Sequence, residues 1–131
     1  MKCEWFWGIG MCLLLGSLQA NEIQFDRDIQ PILVRHCIAC HGPDQQKGNL
    51  RLDLRSSFEK GGKSGPVIDA TQPEQSPLLQ RIRTKDSDLR MPPEGEPLSQ
   101  TQQRILQRWI HQGAVWPDGT DDESILLRHW A

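Results

Sequence analysis

The chain has 131 residues, with 15 Lys and Arg against 17 Asp and Glu and a formal net charge of −2. That length makes one domain the default. Interspersed charge so close to neutral leaves no basis for nucleic-acid or membrane-surface binding, both of which need clustered basic residues.

The first twenty residues read as a targeting segment. Lys2 is followed by an apolar run from Trp5 to Leu15, interrupted only by Gly8 and Gly10; Leu18-Gln19-Ala20 then gives way to polar sequence at Asn21. A short apolar core ending in small residues is the pattern of a secretory signal peptide, and it falls short of the roughly 20 apolar residues a membrane span needs. The alternative is an uncleaved leader serving as an anchor, the one route to a membrane the sequence offers. Both readings predict export, to a periplasmic or cell-envelope space. Cys3 and Cys12 leave with the leader, so Cys37 and Cys40 remain. An exported domain with two cysteines is not a disulfide-stapled scaffold.

From Asn21 onward large apolar residues are sparse, and a domain of this size is marginal in the surface it can bury. Four segments carry order. Ile29, Leu33 and Cys37 recur at helical spacing and predict a helix from about Asp28 to His36, with Asp26 or Asp28 as its cap and Pro31 near its start. Leu50, Leu52 and Leu54 alternate with charged residues and predict a short extended piece, leading into a helical turn that ends near Phe58 and closes at Gly61-Gly62. Ser76, Leu79, Ile82 and Arg83 predict a helix from Pro73 to Arg83. The clearest signal is the last: Ser99 and Gln102 form a capping box, Ile105, Leu106, Trp109 and Ile110 an apolar stripe, and Gly113 a stop. Two long loops, Gly61–Gln72 and Thr84–Pro97, separate these elements. The predicted fold is all-α: small helices and long loops that need something to hold them.

Cys37-Ile38-Ala39-Cys40-His41 supplies it. C-x-x-C-H is the attachment signature for a c-type haem: two thiols spaced to meet the two porphyrin vinyl groups, and a histidine carried beneath the iron as proximal ligand. A thioredoxin-like redox pair would sit at a helix start in a βαβ pattern, and no strand precedes this one. A zinc site needs four ligands, which one short segment cannot aim at one tetrahedral ion. A plain Cys37–Cys40 disulfide is the blandest alternative. For the second axial position Met91 is the candidate, the one methionine of the chain outside the leader, held in Arg90-Met91-Pro92-Pro93, where two prolines stiffen the loop. A methionine paired with histidine raises the haem potential. His111 is the runner-up, although a helix C-terminus explains it equally well, and His36 is expected to face away from the iron. Arg83 and Arg90 are candidates for pairing with the haem propionates. Gly61-Gly62-Lys63-Ser64 lacks the first glycine and the preceding strand of a phosphate-binding loop. The acidic group Asp118, Asp121, Asp122 and Glu123 reads as a solvated turn.

With these residues in view, a family resemblance emerges. Phe25–Leu33 running into Cys37–Gly42, then Leu50-Arg51-Leu52-Asp53, Gly61–Pro66, Pro73–Leu79, Arg90–Pro93 and Ile105–Ile110, resembles planctomycete-type cytochrome c domains. The resemblance implies a class I-like cytochrome c fold with its N- and C-terminal helices crossed beside one haem. It also implies Cys37 and Cys40 as attachment points, His41 as proximal and Met91 as distal ligand. Members often continue into larger domains, and Ser124–Ala131 is similar to the start of such a continuation. The expected organisation is thus a leader over 1–20, a cytochrome c domain over 21–117, and an extension over 118–131. The expected function is single-electron transfer through one haem c per chain to a redox partner protein or domain, not side-chain catalysis. The alternatives are a haem sensor or peroxidase-like module with an open distal site, or the electron-transfer part of a larger enzyme.

Overall fold

The computed structural model describes residues 21–118. The leader and the extension beyond Asp118 lie outside the described residues. Within them the fold is helical, with no strand and two isolated bridges, His41 with Gln46 and Gly62 with Gly65.

The first helix begins earlier than its apolar spacing indicates. A wide π-type turn, Phe25–Ile29, runs directly into α1, Gln30–His36, with Pro31 in the first turn. The cap role expected of Asp28 takes a different form: its carboxylate accepts from the Gln24 backbone N–H at 2.9 Å. Phe25 and Ile29 are buried in the π turn and Ile32 and Leu33 in α1, so the stripe continues across the junction.

After the thiol segment a short 3-10 turn, Lys47–Asn49, leads to extended residues at Leu50 and Leu54. The alternation expected there holds at its centre, where Leu52 is buried. Asp53 beside it is buried as well, and Arg51 grips it with two parallel bonds of 3.0 and 2.6 Å. A buried carboxylate is tolerated when it is paired in this way. Helix α2, Arg55–Lys60, buries Phe58 and closes at Gly61, whose φ of 78° is the left-handed conformation expected of the closing glycine.

The single helix expected from Pro73 to Arg83 is two elements. Pro73–Gln75 is a 3-10 turn, Ser76 is not helical (ψ 128°), and α3 starts afresh at Pro77 and ends at Arg83. The reason is local, because a proline disfavours the helical conformation in the residue before it. Ser76 is fully buried, and its hydroxyl accepts from Asp69 N at 3.0 Å. Helix α4, Gln100–His111, matches its signals. Ser99 accepts from Gln102 N at 3.1 Å, and Gln102 accepts from Ser99 N at 2.9 Å. A cap of this type contributes about 1 kcal/mol.

The π turn and α3 both pack on α4, so the expected crossing of N- and C-terminal helices is made through Phe25–Ile29. Phe25, Phe58, Trp109 and Trp116 form an aromatic cluster with centroid separations of 4.3 to 6.4 Å. The long loops carry bonds of their own: Asp69 accepts from Thr71 N and Gln72 N, and Leu78 N donates to Val67 O.

Glu74 ties the 3-10 turn to both later helices. Its carboxylate accepts from His111 Nε2 at 2.6 Å, from Arg83 at 3.0 Å, and from Gln107. These bonds, led by that of His111, hold it at about 2 against an ordinary 4.5. A carboxyl depressed by folding stabilises the protein above its unfolded pKa, and that contribution is lost as pH falls through the folded value. Glu74→Gln should therefore melt below the parent near neutral pH, with the gap closing as both are acidified from about 4.5 towards about 2. Circular-dichroism melts across that range check it; a gap independent of pH would assign the effect to hydrogen bonding alone.

Candidate functional site

The thiol segment continues the backbone ladder of α1. Cys37 N and Ile38 N donate to Leu33 O, then Cys40 N and His41 N donate to Cys37 O. This tight winding places Cys37, Cys40 and His41 together in the wall of a common cavity. Gly42 is required next, since a Cβ there would collide with the Ile38 carbonyl oxygen. Further bonds lock the segment from outside: Leu52 N to His41 O at 2.7 Å, and Lys47 N to Cys40 O at 2.9 Å.

The cavity has a volume of about 370 Å³, within the range of small-molecule sites. Leu50, Leu52, Val67, Leu78, Ile82 and Leu98 make much of its wall apolar. Met91 lies in the same wall, fifty residues beyond His41 in sequence, with Pro92 and Pro93 beside it. Its backbone is pinned by a 2.9 Å bond from Met91 N to Arg81 O. The Arg90 guanidinium closes the loop by donating to Pro92 O and more weakly to Pro93 O and Gly95 O. All four side chains singled out by the sequence, Cys37, Cys40, His41 and Met91, therefore line one cavity.

Both cysteines are free thiols. Burial, and next the neighbouring Cys40, pushes the Cys37 thiol up to about 12. It is protonated at neutral pH, and a neutral thiol is a poor partner for disulfide exchange. His41 Nδ1 is buried with no hydrogen-bond partner among the described residues. A buried polar atom unpaired within the polypeptide calls for a partner from outside it. Among the described residues no three His, Cys, Asp or Glu side chains gather as a metal-binding group. Two thiols, two imidazoles, one thioether and an apolar wall fit a covalently held macrocycle better than a bare ion.

Three sequence expectations need correction. His36 does not face away: it lines the cavity, its Nε2 lies 3.2 Å from the Gln102 side-chain nitrogen, and burial holds its pKa below the ordinary value. His111 is not an axial candidate, because it lies outside the cavity wall, exposed and paired with Glu74. Arg83 and Arg90 are not in the wall either; one pairs with Glu74 and the other closes its own loop. The cations that do line the cavity are Lys47 and Arg81. A helical projection from Pro77 would have found Arg81, since Leu78, Arg81 and Ile82 share one face of α3. A more polar pocket of about 490 Å³, among Asn49, Ser56, Ser57, Lys60 and Lys63, shares only Gly62 with the cavity and holds none of the four side chains.

Residues 37–95 match the family model described as Planctomycete cytochrome C. No curated protein and no solved structure matches the chain.

Proposed function

From a chain that carries a planctomycete-type cytochrome c domain, and with it haem-based electron transfer, we propose a single-electron carrier with haem c held by Cys37 and Cys40 and His41 and Met91 as axial ligands. The observation that carries this reading is the shared cavity, whose wall joins the two thiols and the imidazole to a thioether fifty residues away.

The bound haem supplies an iron that alternates between ferric and ferrous states. Everything else falls to the chain. The Cys37 and Cys40 thiols would hold the haem as thioethers, each S–H adding across a vinyl group so that no oxidant is required. His41, fixed through its own backbone N–H and C=O, would offer its imidazole to the iron. Met91, its backbone fixed through Arg81 O, would offer its thioether to the iron, a ligand that favours the ferrous state. The apolar wall excludes water, which limits reorganisation when charge changes. With His41 and Met91 both committed to the iron, no position would remain there for a substrate, which favours carriage between redox partner proteins or domains. The leader reading places this in an exported compartment, and no helix among the described residues is long and apolar enough to cross a membrane.

The test is a denaturing gel stained for haem, run on protein exported from a host with c-type maturation machinery. The parent should stain and Cys37→Ala/Cys40→Ala should not. An unstained parent that is exported and folded would overturn the proposal.

A further inference from the structure

We infer that Lys47 and Arg81 bind the two propionate carboxylates of the haem, an assignment that rests on the haem reading above. Acidic residues outnumber basic ones in the chain, 17 to 15. Yet the cavity wall contains Lys47, Arg81, His36 and His41 and no Asp or Glu. Much of the remaining wall is apolar, where a carboxylate is costly unless it is paired and hydrogen-bonded. A ligand with one apolar body and two anionic arms matches this distribution.

The two cations come from separate segments of the site, Lys47 just after the thiol segment and Arg81 on α3. Arg81 is half-buried on α3, and one guanidinium nitrogen donates to Leu89 O at 3.2 Å. That bond orients the planar fork and leaves further N–H donors for a carboxylate. Lys47 follows the thiol segment, tied to it by the bond from its N–H to Cys40 O. Its ammonium has no ion-pair partner among the described residues. Arg83, two residues beyond Arg81, shows the contrast: it is turned to Glu74 and is absent from the wall. Because the Arg81 carbonyl also accepts from Met91 N, one residue serves both the anionic edge and the distal loop.

A guanidinium or ammonium beside a carboxylate keeps it ionised to low pH. Remove the cation, and the carboxylate pKa rises into the working range, higher in the ferrous than in the ferric state, because the ferric iron carries one more positive charge. Reduction then takes up protons, and the potential falls as pH rises between the two values.

The experiment is a redox titration with chemical mediators across mildly acidic to neutral pH on the haem-loaded chain. It compares the parent with Arg81→Gln, Lys47→Gln, Arg81→Lys and the control Arg83→Gln. Haem staining first establishes that each is loaded; a parent without haem overturns the earlier reading and this assignment with it, whereas a loaded parent puts the assignment alone to the test. The parent and Arg83→Gln should show a nearly level potential. Arg81→Gln and Lys47→Gln should each show a lower potential with a new decline as pH rises, and Arg81→Lys should recover much of the level profile. The optical spectrum should stay unchanged throughout. Profiles of Arg81→Gln and Lys47→Gln indistinguishable from Arg83→Gln would overturn the assignment. So would a shift in Arg81→Gln accompanied by a changed spectrum, which would make Arg81 a support of the Met91 loop instead. Lys47 is exposed and makes no side-chain bond to the fold, so its variant carries the test even where Arg81→Gln fails to fold.

Discussion

Met91→Ala should keep its covalent haem, lose the low-spin spectrum of the parent, and drop in reduction potential by on the order of 0.1 V or more, against the roughly 0.8 V range that axial ligands span. The substitution is mild for the polypeptide. The bond from residue 91 N–H to Arg81 O is a backbone bond and survives, as do the prolines and the Arg90 contacts that shape the loop. Only the thioether is removed, together with its preference for ferrous iron. The measurements are an optical spectrum in both oxidation states and a redox titration. An unchanged spectrum and potential would take Met91 off the iron and bring forward the sensor or peroxidase-like reading, with an open or differently filled distal side. His36 would then be the first residue to replace, being the other imidazole in the wall.

The four residues that meet in the cavity stood out in the sequence because they belong to short, local patterns. C-x-x-C-H needs only five consecutive residues, and a lone methionine before two prolines stands out without a structure. Helix α4 was legible for the same reason, since Ser99, Gln102 and Gly113 state its limits directly. What escaped depends on geometry between segments. The split at Ser76 follows from Pro77, but Pro73 offered an earlier start that hid it. Which arginines face the cavity depends on the phase of α3, and that phase is set by the restart at Pro77. Arg81 and Arg83 are two residues apart, about 200° around a helix, so an arginine chosen by proximity in sequence falls on the wrong side. His36 was misplaced because adjacency to Cys37 says nothing about which way a ring turns once α1 unwinds into the thiol segment.

The largest stability effect is expected outside the cavity wall, at Trp109→Ala. Trp109 is 1% exposed. It meets Phe58 at 5.4 Å, Phe25 at 6.0 Å and Trp116 at 6.4 Å between ring centroids, and its Nε1 donates to Val115 O at 3.0 Å. Truncating a buried aromatic of this size costs about 4 kcal/mol, a large share of the 5–15 kcal/mol typical of a domain. For a domain of roughly 100 residues that corresponds to a fall in melting temperature on the order of 20 °C. Trp109 is not in the cavity wall, but Leu52, Val67, Ile82 and Leu98 belong both to the wall and to the core cluster that contains it. The haem-loaded variant should therefore unfold far more easily while its spectrum and potential, measured well below the transition, match the parent. Trp109→Phe should recover much of the loss, because a ring still fills the space between Phe25 and Phe58. A loss below about 1 kcal/mol would mean that the aromatic cluster collapses around the gap. A changed potential would mean that packing at α4 is transmitted to the cavity through that shared wall.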